Sequence, residues 1–248
     1  MIPKIIHYCW FGGKPKPQSV LKYIDTWKKQ CPDYNIMEWN ETNYDVYKNN
    51  YVKGAYQEKK WAFVSDYCRI DVLYQYGGIY LDTDVEVLKS FDDLLNLTAF
   101  VGMESETLVA TCLIASEKKG DMVRDFLACY DNLEFDSLNP GTNVLRLTSM
   151  LKKKIGHVGY DINHKEYVII FPFEYFVAND YGTGKVKKTV DTYSVHHYTS
   201  TWLPWYSRFE MKLSHLLGVP NRNILTRYAK KFGICLLYTS PSPRDPKT

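Results

Sequence analysis

One stretch constrains this chain more than any other. From residue 59 to 76 the pattern is helical, with Ala62, Asp66, Arg69, Ile70 and Leu73 sharing one side by i, i+3, i+4 spacing. Gly77-Gly78 stops the helix, and Ile79-Tyr80-Leu81 follows as a short buried strand that runs into Asp82-Thr83-Asp84. Alternate strand residues point to one face, so this reading brings the carboxylates of Asp82 and Asp84 together at the strand's end. In open α/β sheets that is where ligands bind. Two carboxylates there suit Mg²⁺ or Mn²⁺, hard cations that keep positions open for phosphate. A D-x-D triplet alone is a weak signal, and a solvated strand end is its ordinary meaning; the context is what gives it weight.

The opening of the chain supports a parallel α/β unit. Residues 4–10 read as a strand stopped by Phe11-Gly12-Gly13-Lys14-Pro15. Residues 18–30 read as a helix with Val20, Leu21, Ile24 and Trp27 on one face, broken by Cys31-Pro32-Asp33. Tyr34 to Trp39 is the next strand, which completes strand, helix, strand. Further strands are expected near 99–103, 109–115 and 167–171, and helices near 118–130 and 141–154. The 248 residues suit one large domain with a small appendage.

Composition excludes some classes and leaves others. A net charge of +3 is too small to make nucleic acid the main partner. The 21 Tyr and 6 Trp fit a sugar or nucleotide ligand, since aromatic faces stack on both, although most such rings are core residues. None of the six cysteines forms a C-x-x-C pair, and several lie in apolar runs, which points to free thiols in a reducing compartment. No signal peptide is read at Met1, and no apolar run of spanning length occurs, so a cytoplasmic location is expected.

The run from Ala62 to Val85, AFVSDYCRIDVLYQYGGIYLDTDV, strongly resembles the hallmark of the D-x-D sugar-binding glycosyltransferases, glycosyltransferase family 32. That family includes capsule and lipopolysaccharide enzymes of bacteria and mannosyltransferases of yeast; the clostridial glucosylating toxins share a related core. Ile2-Pro3-Lys4-Ile5-Ile6-His7, Trp10-Phe11-Gly12-Gly13 and Asn40-Glu41 after Trp39 match its N-terminal pattern. The resemblance covers roughly residues 1–205.

It implies a GT-A fold, a Rossmann-like α/β domain with a mixed central sheet, over residues 1–203. It implies that Asp66 binds ribose or sugar hydroxyls and that Arg69 binds sugar or diphosphate; a helical i, i+3 salt bridge between them is the structural alternative. Asp82 would contact the donor and Asp84 the metal. The nucleotide base would lie near His7, Tyr8 and Trp10, with Trp10 stacking on it, and Gly12 and Gly13 would let backbone approach the donor. His196-His197 with Thr201-Trp202 takes the place of the family's usual His and Ser-Trp. One imidazole would complete the metal shell, with His197 preferred, and Thr201 and Trp202 would reach the diphosphate. Glu104 and Asn143 are weaker candidates for the acceptor cleft.

The function implied is retaining transfer from a nucleotide sugar, UDP-linked first, to an oligosaccharide or lipid-linked saccharide in capsule or lipopolysaccharide synthesis. Two alternatives stand beside it. A haloacid-dehalogenase-like phosphatase would use Asp82 as nucleophile, but its motif belongs on a first strand. A non-catalytic sugar-binding module would tolerate loss of Asp84. Residues 204–235 form a basic amphipathic appendage whose residues 204–231 either lie on an anionic membrane surface or, as preferred, pack on the domain. Residues 236–248 are Pro/Ser-rich and unpatterned, and are expected to be a disordered or non-native tail replacing the true C-terminus.

Overall fold

The computed structural model describes residues 1–199, with 140 and 182 excepted. The expected boundary after 203, the segments 204–235 and 236–248, and Thr201 and Trp202 all lie outside the described residues.

In chain order the elements are β1 (Ile5–Cys9), α1 (Gln18–Gln30), β2 (Asn35–Trp39), α2 (Asn50–Gln57), α3 (Trp61–Tyr76), β3 (Gly78–Leu81), β4 (Val85–Val87), β5 (Ala99–Met103), β6 (Val109–Ser116), α4 (Asp121–Ala128), α5 (Asn143–Ile155), β7 (Ile169–Phe171), α6 (Phe173–Phe176) and β8 (Ser194–His196). The main sheet has the order β2-β1-β3-β6-β5-β7. β1 pairs in parallel with β2 and β3, β6 runs antiparallel to β3 and β5, and β7 is parallel to β5. The sheet is therefore mixed, as expected. β4 and β8 form a separate antiparallel ribbon.

β3 and β6 are buried at every position, and both read as continuous apolar runs because the sheet is covered on both faces. Tyr80 packs into one hydrophobic cluster with α3, α4 and α5 residues, while Ile79 and Leu81 pack into a second with α1 and β4. Within α1, Val20, Ile24 and Trp27 are buried as the periodicity requires, but Leu21 is exposed, because one residue is about 100° of helix. Trp27 Nε1 donates to Val85 O at 2.7 Å and ties α1 to β4.

The Gly77-Gly78 stop is sterically required. Both have positive φ, +70° and +108°, and a Cβ would lie 2.6 Å from Lys118 N at Gly77 and 2.6 Å from Ile5 O at Gly78. The glycine pair thus turns α3 directly into β3 beside β1. α2 has no counterpart in the sequence-based expectation: it has eight residues and contains Gly54, which a helix former would not favour. A Cβ at Gly54 would meet Phe135 Cβ at 2.9 Å, so packing decides that residue.

Candidate active site

The acidic triplet lies beyond the strand. Asp82 N–H makes a last bond to Cys112 O (2.8 Å), and Val85 N–H returns to Asp82 O (3.0 Å). Asp82-Thr83-Asp84 is therefore a turn between β3 and β4, and the strand alternation expected from sequence is not what brings the two carboxylates together. They converge nonetheless. One ligand atom from each of Asp82, Asp84 and His196 lies within 4.8 Å of the others, the one such group among the described residues.

Asp82 is held from beneath. Its Oδ1 accepts from Tyr80 OH (2.9 Å) and lies 3.1 Å from Arg69 Nη1. Arg69 is buried, and its guanidinium also reaches Asp66 Oδ1 (3.0 Å) and Thr111 O (2.8 Å), with Nε on Ser65 O (3.2 Å) and the plane over the Tyr80 ring. Asp66 is 0% exposed and takes a bond from Asn143 Nδ2 at 3.3 Å, while Asn143 Oδ1 accepts from Tyr130 OH. So Asp66 and Arg69 form, in the interior, the i, i+3 pair given above as the structural alternative, and Asp66 is buried away from any ribose or sugar hydroxyl. Charges this deep persist only when paired and hydrogen-bonded, as these are.

Asp84 is held from the side. Thr199 donates to its Oδ2 through both N–H (2.9 Å) and Oγ1 (3.2 Å), and His196 Nε2 lies 3.2 Å from Oδ1. Tyr198, at φ +48°, provides the left-handed backbone that bends the chain back so that Thr199 follows His196 onto one carboxylate. Burial disfavours a charged Asp84, but the His196 charge and the Thr199 donors outweigh it and bring its pKa to about 2. Burial likewise opposes a charged His196, and the Cys112 sulfur and Asp84 carboxylate raise its pKa well above the usual value.

The preferred histidine changes. His197 Nε2 is 2.8 Å from Glu86 Oε2 and its ring stacks on Tyr23 at 4.9 Å, so the imidazole beside the carboxylates is His196. Consecutive side chains of an extended segment face opposite ways, so only one imidazole of the pair meets the Asp84 carboxylate, while His197 N–H donates to Asp84 O (3.0 Å).

Other expected residues are placed as follows. The β1–β3 register puts Trp10 level with the acidic turn; it is half-buried, with Nε1 donating to Lys14 O (2.6 Å). His7 is fully buried between Gly77 O (2.8 Å) and Trp39 Nε1 (3.1 Å), and Tyr8 OH donates to Glu38, so neither is open to a nucleotide base. Gly12 admits the Trp61 indole, whose Nε1 would be 2.7 Å from a Cβ there, whereas Gly13 faces open space. Asn143 is buried behind Asp66 rather than lining a cleft, and Glu104 Oε1 accepts from Tyr198 OH at 3.4 Å. Thr199 was not anticipated; a threonine three residues past a histidine carries no signal until the chain bends.

Two carboxylates and one imidazole fit Mn²⁺ or Mg²⁺, the imidazole favouring Mn²⁺. Asp84, ionised and not shared with a fixed arginine, would be the stronger ligand for such an ion; Asp82 is already balanced by Arg69.

Residues 17–101 match the family described as "Glycosyltransferase sugar-binding region containing DXD motif". The chain is 42% identical over 72 residues to lactosylceramide 4-alpha-galactosyltransferase of Rattus norvegicus, covering 27% of this chain and 19% of that protein. It is 30% identical over 129 residues to inositol phosphoceramide mannosyltransferase 3 of Schizosaccharomyces pombe, covering 47% and 34%. The chain thus spans about a fifth and a third of the lengths of these two relatives. Among solved structures, the PaToxG glycosyltransferase matches with a TM-score of 0.50 at 24% identity, over 62% of this chain and 70% of that one, a likeness of fold. With its GT-A-type mixed sheet and the acidic triplet inside the matched region, the chain carries over residues 17–101 the sugar-binding region of DXD glycosyltransferases.

Proposed function

We propose that the protein is a metal-dependent, retaining hexosyltransferase that moves a sugar from a nucleotide donor, UDP-linked first, to a saccharide or lipid-linked acceptor. The observation that carries this reading is the convergence of Asp82, Asp84 and His196 at the end of β3, with both acids inside the matched sugar-binding region. A divalent ion would be held by Asp84 and His196, with Asp82 beside it, and would offset the charge of a diphosphate leaving group.

The chain's own residues do the positioning. Arg69 and Tyr80 fix the Asp82 carboxylate, so that its free side can take a ribose or sugar hydroxyl without reorganising. Thr199 and His196 hold Asp84 charged and aimed. Trp10 would stack on the nucleotide base, a reading supported by its position level with the turn. Thr201 and Trp202 are assigned to the diphosphate by resemblance alone. Retention is supported by the lack of a convincing general base among the described residues, and by the α-linkage in the rat relative's name.

Both named relatives act on ceramide lipids, which supports an acceptor presented at a membrane surface; capsule or lipopolysaccharide assembly at the inner face of the cytoplasmic membrane is the setting proposed. The phosphatase alternative would need Asp82 as an attacking nucleophile, and its Oδ1 is engaged by a buried arginine and a tyrosine.

Asp84→Asn tests the reading. Mn²⁺-dependent transfer or hydrolysis of nucleotide sugars should fall more than about a hundredfold, since even outer partners of a metal site cost about tenfold to a hundredfold, while the circular dichroism spectrum stays unchanged. Undiminished turnover refutes the metal role. Binding of sugar without turnover in the unaltered protein would favour the sugar-binding module.

A further inference from the structure

Three aromatic rings form a row that begins on the helix stripe carrying Arg69. Trp61 opens α3 on the stripe that carries Ser65 and Arg69: Ser65 Oγ donates to Trp61 O (3.0 Å), and Arg69 Nε donates to Ser65 O (3.2 Å). Trp61 is therefore two helical turns, about 12 Å along the axis, from the arginine that grips Asp82. It lies toward the edge where β1 ends, because its indole occupies the space a side chain at Gly12 would need. Tyr56 meets Trp61 at 5.4 Å between centroids, and Tyr47 meets Tyr56 at 6.0 Å.

Burial falls along the row. Trp61 and Tyr56 are partly buried against the core, and Tyr47 is 61% exposed. Two local devices keep the rings in line. Lys59, at φ +57°, folds the end of α2 onto the start of α3, which brings Tyr56 beside Trp61. Asp45 Oδ1 accepts from Tyr47 N (2.9 Å), an Asx turn that holds Tyr47 out from the surface. Polar atoms accompany the rings: two of the three carry phenolic hydroxyls, and Glu41 beside the row accepts from Gly12 N–H.

A large ring held outward, in a row that starts on the same helix stripe as Arg69, is a surface for rings with one apolar face and many hydroxyls. A hydrocarbon chain would gain nothing from the phenols or the carboxylate. We propose that Trp61, Tyr56 and Tyr47 bind the body of a saccharide acceptor, several rings back from the hydroxyl that reacts. This rests on the glycosyltransferase reading and deepens it.

The test measures binding of fluorescently labelled neutral oligosaccharides, from two to six rings, to the full chain with UDP and Mn²⁺ present. Tyr47→Ala is expected to weaken the longer probes about threefold to tenfold, the range of one aromatic contact, and the shortest ones less; Tyr47→Phe, which keeps the ring, should lose little. Equal affinity of Tyr47→Ala for every length overturns the proposal, as does failure of the unaltered protein to retain any oligosaccharide, or displacement of bound probe by an alkyl chain alone. Thermal stabilisation by UDP with Mn²⁺ is read separately. Its absence refutes the transferase reading, whereas its presence with an indifferent Tyr47 refutes only the acceptor track.

Discussion

Acid should loosen this protein through His7 before it protonates most carboxylates. Both ring nitrogens are committed: Trp39 Nε1–H donates to Nδ1, and Nε2–H donates to Gly77 O. A proton on Nδ1 would face the indole N–H and break that bond. Burial is the larger cause and, against the Gly77 carbonyl, lowers the pKa to about 4, where an unfolded histidine titrates near 6.5. Above pH 6.5 the ring is neutral in both states and contributes nothing to the pH dependence. Between 6.5 and 4 the unfolded chain binds a proton that the fold refuses, so stability falls with falling pH, by up to about 1.4 kcal/mol per pH unit and about 3 kcal/mol in all. His196 acts in another window, because its raised value makes its contribution fully present below 6.5 and lost as pH rises through the folded pKa. Urea unfolding at pH 7.5, 6.5, 5.5 and 4.5, on the natural chain and on His7→Gln, isolates the term as a difference in slope. Parallel curves for the two proteins would refute the reasoning, whatever the absolute stability of the variant.

Other outcomes follow from the same geometry. Arg69→Ala removes a buried guanidinium bound to Asp66, Asp82 and the Thr111 carbonyl and should cost about 3–5 kcal/mol in denaturant unfolding; Arg69→Lys, with charge but no planar fork, should recover part of it. His196→Ala should weaken Mn²⁺ binding about tenfold or more by titration calorimetry or electron paramagnetic resonance, whereas His197→Ala should leave it nearly unchanged; the reverse order would reassign the ligand. Gly78→Ala forces a Cβ to 2.6 Å from Ile5 O at positive φ and should cost at least about 2 kcal/mol, while Gly13→Ala, with open space around it, should cost about 1 kcal/mol. Equal melting temperatures for those two variants would contradict the steric argument.

The elements with strong local pattern were legible in the sequence. α1 occupies Gln18–Gln30 and β5 Ala99–Met103, as expected, and α3 starts only two residues late. What the periodicity hides is short or decided at a distance. β4 and β8 have three residues each, too few to show alternation, and exist because they pair with each other across more than a hundred positions. The spacing of Asp66 and Arg69 announced their pairing, yet nothing local foretold that Asn143 of α5 would close over Asp66. Asp82 and Asp84 were identified as a pair, but for a strand's reason when a turn does the work. The two adjacent histidines are indistinguishable in composition; Glu86 and Tyr23 claim one, and Asp84 is left with the other.

Thr199 and His196 reach Asp84 from more than a hundred residues downstream, well beyond the 17–101 stretch by which the family is recognised. That stretch consequently holds only part of the Asp82, Asp84 and His196 cluster. A fragment cut before Ser194 would keep its diagnostic acids and lose the strand and bend that orient one of them, so recognisability and competence part company within a single chain.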